Sequence, residues 1–158
     1  MIQHTSEQDN WYFAYGSNLS KQQMLRRTGS IPKSQVARLD HYQFAFRRVL
    51  DGNDVFATIL PKQGSIVHGV AYHCSQHAMM QLDRFEGVSD NCYTRELVYV
   101  TTQNGEILQC IVYIGQAFTD ESAQPSASYW SSIRTGAKEH QLPIEYIDTL
   151  MQLAEEST

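Results

Sequence analysis

The eight residues Tyr12-Phe13-Ala14-Tyr15-Gly16-Ser17-Asn18-Leu19 constrain this chain more than any other stretch, because they run an apolar strand straight into a turn and a helix start. Residues 11–15 have the length and composition of a strand. Gly16, lacking a Cβ, permits a sharp reversal and a close approach of another molecule to the backbone. Ser20 and Gln23 have the S-x-x-Q spacing of a capping box, which predicts a helix over 21–27. Amide N–H groups in such a turn, close to the positive end of a helix, can hold a carboxylate or an oxyanion without any charged side chain. Taken alone, Gly-Ser-Asn is also what a plain strand-turn-helix looks like.

Further along, 36–48 reads as a bent or bulged strand in which Leu39, Tyr42, Phe44 and Phe46 partly alternate with polar residues. Asp51-Gly52-Asn53-Asp54 is a turn signal, and 55–60 is a second strand ending at Pro61, so the two form a hairpin. A third strand covers 66–73, with Gly69 marking a bulge or a close backbone approach. A helix over 76–85, capped by Ser75 and stopped by Gly87, turns Met79 and Leu82 to the core. Strands 92–102 and 107–114 are joined through Asn104-Gly105, and helices follow over 129–138 and 143–154, the latter with Pro143 near its first position. Strands in the middle, with helices interrupting and ending the chain, predict an α+β fold.

A length of 158 residues, 42% hydrophobic and 18% charged, predicts one folded domain over 1–158, with 1–10 and 155–158 as flexible ends. The net charge of −5, with no basic run longer than Arg26-Arg27 or Arg47-Arg48, argues against nucleic acid as a partner. Neither a signal peptide nor a bilayer-length apolar run is visible, so no membrane association is expected. Cysteines 74, 92 and 110 lack a C-x-x-C pattern and predict neither a disulfide framework nor a zinc site; a cytoplasmic location fits them. His73 and His77 straddle the predicted strand-to-helix junction and do not share one helix face, which argues against a metal site.

Leu82-Asp83-Arg84-Phe85-Glu86-Gly87-Val88, read with Tyr15-Gly16-Ser17-Asn18-Leu19, resembles the γ-glutamylcyclotransferase family, in which a Y-G-S-N loop and an E-G carboxylate form the active site. Asn91-Cys92-Tyr93-Thr94-Arg95 resembles the family's tyrosine-bearing strand. Gly136-Ala137-Lys138-Glu139-His140-Gln141-Leu142-Pro143 is similar to the C-terminal signature of its cytosolic, dipeptide-acting branch. The resemblance implies a small mixed β-barrel flanked by helices. It also implies an enzyme without cofactor or metal that closes the α-amine of a γ-glutamyl amide onto its γ-carbonyl, releasing 5-oxoproline. It makes Glu86 the general acid/base, places Tyr15, Gly16, Ser17 and Asn18 against the substrate, and puts Tyr93 and Tyr129 in the pocket wall. Similar proteins include homodimers. The connection over 47–54 is shorter than in the animal cytosolic members, and 116–128 does not align clearly, so the leaving group stays open between an amino acid and an amine.

The residues carry part of this reading independently. Glu86 falls where a helix should end, and a carboxylate near the negative pole of a helix has its ionised form disfavoured, which predicts a raised pKa. Ser17 sits in no G-x-S-x-G elbow and has no histidine or aspartate partner that the sequence places beside it, so it reads as a turn residue and not a nucleophile. Arg95, two residues after Tyr93 on one strand face, reads as half of a structural ion pair. Whether the loop amides grip the substrate α-carboxylate or the tetrahedral oxyanion is open at this level, and a non-catalytic carboxylate binder is the alternative from another class.

Overall fold

The computed structural model describes residues 10–155. In chain order they form β1 (Asn10–Ala14), a 3-10 turn (Ser17–Leu19), α1 (Lys21–Thr28), β2 (Ser34–Val49), β3 (Val55–Cys74) and α2 (Gln76–Phe85). A short 3-10 turn (Val88–Asp90), β4 (Tyr93–Thr102), β5 (Ile107–Gly115), β6 (Phe118–Ser122), α3 (Ala127–Glu139) and α4 (Ile144–Glu155) complete the fold. The strands pair in the order β3-β1-β5-β4-β2-β6, and a further pairing of β2 with β3 closes the first five into a barrel. Every pairing is antiparallel except β1 with β5. The chain is thus the α+β protein the sequence predicts, a small mixed barrel flanked by helices. Asn10 and Glu155 belong to regular elements; the remaining terminal residues expected to be flexible lie outside the described ones.

β1 is the strand on which the site depends. Tyr12, Phe13 and Ala14 are buried in succession on both faces, so the strand reads as a continuous apolar run without alternation. It lies between β3 and β5, with Ala14 opposite Val70, and this fixes where the chain leaves the barrel. A Cβ on Gly69 would lie 2.3 Å from the Ala14 carbonyl oxygen and 2.8 Å from the Phe13 ring, so the close approach predicted at Gly69 is real.

Three differences from the sequence reading have physical causes. The strands predicted over 55–60 and 66–73 are one element, β3, broken only by a bulge. Between the pairs Tyr42–Pro61 and Asp40–Ile66, four residues of β3 face His41 alone, whose φ is 68°. Pro61 thus sits where the ladder is already interrupted and its missing N–H costs nothing. β6 lies in the segment 116–128, to which the sequence reading assigns no strand; Phe118 and Ser122 pair with Val49 and Arg47, a long-range contact that local patterning does not carry. α3 begins at Ala127, earlier than predicted, because Ser126 caps it by accepting the Tyr129 N–H.

The β1–β3 contact yields the first prediction. Gly69→Ala should destabilise the fold by about 1–3 kcal/mol, the usual cost of overpacking, read as a lower urea midpoint with an unchanged m value.

Candidate active site

The turn after β1 is held from two sides. Its carbonyls at Asn18 and Leu19 accept the Tyr72 hydroxyl of β3, at 2.9 and 3.2 Å. From the other side α3 packs so closely that a Cβ on Gly136 would fall 2.3 Å from the Leu19 carbonyl carbon and 2.4 Å from the Ser20 nitrogen. Glu139, three residues on, accepts the Lys21 N–H at the start of α1 (3.2 Å), and His140 Nε2 lies 3.2 Å from the Tyr72 hydroxyl. The Gly136-to-His140 segment that the sequence singled out is therefore a buttress for the turn. Within the turn, the N–H groups of Leu19 and Ser20 reach the Gly16 and Ser17 carbonyls, whereas those of Gly16, Ser17 and Asn18 have no backbone acceptor among the described residues. A Cβ on Gly16 would stand 3.3 Å from Ala57 Cβ and 3.7 Å from the Tyr129 hydroxyl, so the glycine keeps this side of the pocket open.

Asn18 is the centre of the polar network. Its Oδ1 accepts from Arg27 Nη1 (3.2 Å) and Gln23 Nε2 (3.0 Å). Its Nδ2 donates to the Tyr12 hydroxyl (2.9 Å) and at longer range to Glu86 Oε2 (3.4 Å). An arginine can only donate, so the carboxamide has one admissible orientation. Ser20 caps α1 as predicted, accepting the Gln23 N–H at 3.2 Å. The Gln23 side chain departs from the capping box: it donates to Ser17 Oγ (2.6 Å) and Asn18 Oδ1, and so serves the turn.

Glu86 follows the last residue of α2, and Gly87 behind it adopts the left-handed conformation (φ 65°) expected at that position. The carboxyl is 15% exposed and its pKa rises from the usual 4.5 to about 7. Burial is the main cause, with Asp83 adding to it; Arg27, whose Nη1 lies 3.4 Å from Oε2, and the Asn18 amide pull the other way. The sequence reading reached the right direction through the helix pole, but desolvation is the larger effect. Arg27 is held over the Phe85 ring at 4.8 Å, which fixes its approach to Glu86.

Glu86 opens onto a cavity of about 230 Å³, and the expected residues Tyr15, Gly16, Ser17, Asn18, Tyr93 and Tyr129 all line it. Tyr93 and Tyr129 grip the same residue through its two flanking peptide groups: the Tyr93 hydroxyl donates to the Ala57 carbonyl (2.5 Å) and the Tyr129 hydroxyl accepts the Ala57 N–H (3.0 Å). Tyr129 sits on the third residue of α3, not at its start. Arg95 pairs with Asp83 at 2.8 Å, the structural ion pair expected, and Asp83 also accepts the Tyr113 hydroxyl. Tyr12, Arg27 and Gln23 belong to the site yet were not recognised from sequence as site residues. Their spacing from Glu86 in the chain carries no signal, although Tyr12, six residues before Asn18, sat inside the motif already noted.

The first barrel strand thus ends in a turn whose Gly16, Ser17 and Asn18 amides have no backbone acceptor among the described residues, beside a buried carboxylate that lines a cavity. A model of the AIG2-like family matches residues 66–150. The γ-glutamylcyclotransferase of Homo sapiens is 35% identical over 91% of this chain and 78% of its own length, and that of Bos taurus 36% over 85% and 73%. A solved γ-glutamyl cyclotransferase structure superimposes with a TM-score of 0.85, at 34% identity, over 96% of this chain and 90% of its own. The chain belongs to the AIG2-like, γ-glutamylcyclotransferase family, and membership supports an enzyme.

Two predictions follow from these contacts. Because the folded-state pKa of Glu86 is raised, the native state holds this proton more tightly than the unfolded chain. Its contribution to stability is fully present below about pH 4.5 and lost as pH rises through about 7. Glu86→Gln should match the unmodified protein near pH 4.5 and exceed it by about 2 kcal/mol at pH 8, a figure reduced for residual solvation, as followed by urea unfolding at both pH values. Gly136→Ala should push the 16–20 turn away from α3 and lower ligand affinity by at least about tenfold, the scale of one 1.4 kcal/mol misfit, measured by calorimetry.

Proposed function

We propose that this protein is a γ-glutamylcyclotransferase, releasing 5-oxoproline and an amine or amino acid from a γ-glutamyl amide. The observation that carries the reading is the buried Glu86 carboxyl, its pKa moved to about 7, in the wall of a cavity also lined by Gly16, Ser17 and Asn18, whose amides have no backbone acceptor among the described residues. In that reaction the substrate α-nitrogen forms a bond to the γ-carbonyl carbon while the bond from that carbon to the leaving nitrogen breaks. The attacking ammonium gives up two protons in becoming the lactam N–H: Glu86 takes the first before attack and hands it to the leaving nitrogen, then relays the second from the ring nitrogen to the departing amine, which leaves as an ammonium, so the enzyme is unchanged at the end of a turnover. A pKa near 7 suits both halves of that exchange. Deprotonating an α-ammonium of pKa ~8 at pH 7 costs only about 1.4 kcal/mol. The greater demand is therefore the protonation of a leaving amide nitrogen.

The Gly16, Ser17 and Asn18 amides supply the anion grip that holds the γ-glutamyl head folded, with its amine over its own carbonyl. No enzyme nucleophile takes part. Ser17 Oγ accepts from Gln23, and among the described residues neither a histidine nor a carboxylate hydrogen-bonds to it.

The test is incubation with γ-glutamyl-alanine and γ-glutamyl-ε-lysine, scoring 5-oxoproline against free glutamate. 5-Oxoproline from the unmodified protein is expected, with kcat for Glu86→Gln lower by about 10²–10⁴-fold, the range for a general acid/base. As Glu86 must be ionised to accept the proton, kcat/KM should fall below about pH 7 along a one-proton limb. Free glutamate as product, or binding without turnover of either substrate, would overturn the reading.

A further inference from the structure

We infer that Tyr12 is a second catalytic group, its phenol O–H being the donor that meets the γ-carbonyl oxygen as that oxygen becomes an oxyanion. The inference rests on the cyclotransferase reading above and assigns a residue that reading does not require.

It follows from where each tyrosine proton goes. Five tyrosines line the cavity. Tyr15 donates to the Tyr113 carbonyl (2.6 Å), Tyr93 to the Ala57 carbonyl and Tyr113 to Asp83 Oδ1 (2.6 Å), so three of the five protons are committed to the protein. Tyr129 accepts the Ala57 N–H, which leaves its own proton uncommitted as well, but among the described residues no hydrogen bond ties it to Asn18 or Glu86. Tyr12 is the uncommitted phenol joined to that pair. Its hydroxyl oxygen accepts from Asn18 Nδ2, and that direction is forced, because Asn18 Oδ1 faces the donor-only Arg27. The Tyr12 proton must then point elsewhere, and no acceptor for it exists among the described residues.

The ring is 4% exposed, so bulk water does not satisfy that proton as it would on a surface. Burial, reinforced by the nearby Glu86, holds the phenol well above its ordinary pKa, and it stays a neutral donor throughout the pH range of the reaction. Its position is fixed from two directions, by the Asn18 contact and by edge-on packing against the Tyr113 ring at 5.5 Å. A donor aimed in advance, inside a site shielded from water, is what a developing oxyanion gains most from. The carbonyl oxygen acquires its charge next to the carbon attacked by the amine that Glu86 deprotonates. Tyr12 and Glu86 flank that point, each in contact with the same Asn18 nitrogen.

Tyr12→Phe, compared with the unmodified protein on γ-glutamyl-alanine from pH 5.5 to 9, tests this. Expected is a fall in kcat of about 10²–10³-fold, the loss typical of one oxyanion donor, with KM within about threefold and the acidic limb of kcat/KM unmoved. A kcat within about twofold of the unmodified protein would overturn the inference. So would a displaced acidic limb, since Tyr12 would then act through Asn18 on Glu86 as a positioning residue. Calorimetry with γ-glutamyl-alanine on Glu86→Gln, with and without Tyr12→Phe, keeps the question open to refutation if turnover falls below detection. Equal affinities support a role confined to the transition state, and lost affinity overturns it. Absence of 5-oxoproline from the unmodified protein would instead sink the cyclotransferase reading itself.

Discussion

A carboxyl group can stay buried and still be usable only if the structure around it keeps water out while leaving it reachable from one side. Here that condition falls on the turn between β1 and α1. Tyr72 ties the Asn18 and Leu19 carbonyls to the barrel, and Gly136 lets α3 rest directly on the backbone of Leu19 and Ser20. With the turn fixed, Asn18 reaches Glu86 and Tyr12 together, and Arg27 closes the network from α1. Each of these contacts would be weak on a surface. In a shielded pocket they strengthen one another, and an unsatisfied member is correspondingly costly. This explains why residues more than a hundred positions away along the chain, in α3, belong to the machinery of the first turn.

The barrel supplies the other half of the geometry. β1 has neighbours on both edges and cover on both faces, so its end is firmly placed where the turn begins. β3 supports the site at two points: Tyr72 beneath the turn, and the Ala57 backbone, held by Tyr93 and Tyr129, in the cavity wall beside Gly16. The bulge opposite His41 divides β3 into a barrel half and an arm half that pairs with the end of β2, and β6 joins the other edge of β2 there. Phe118 in β6 and Phe56 in β3 both line the cavity.

Much of this was legible in the sequence, and the limits have physical causes. The Y-G-S-N turn, the helix ending at Glu86-Gly87 and the Asn-Gly hairpin are local features, and local patterning located them. The pKa direction at Glu86 was also readable, though for a secondary reason: a helix end is visible in sequence, while burial by the turn and by Arg27's neighbourhood is not. Gln23 shows the same limit at closer range. Its spacing from Ser20 fits a capping box, but Ser17 and Asn18 offered its side chain better partners in space. β6 and the role of Gly136 depend on contacts between distant segments, and neither leaves a periodic trace in the chain.

Charge balance ties the site to the proposed reaction. Arg27 and Glu86 face the cavity as a pair, 3.4 Å apart, and the free amides of the turn add partial positive charge. In that reaction Glu86 would become neutral on taking up the substrate proton, and Arg27 would lose its counter-charge as the γ-carbonyl oxygen gains one. The surroundings of the developing anion would then be more positive than in the resting complex, which would favour the tetrahedral intermediate. Return of the proton to the leaving nitrogen restores the ion pair and removes that advantage as the product forms. A carboxylate more strongly paired would bind its proton too weakly to complete the first step. One buried without Arg27 would hold it too firmly to complete the second. The balance of desolvation against a long ion pair, which puts Glu86 near 7, would let one group do both.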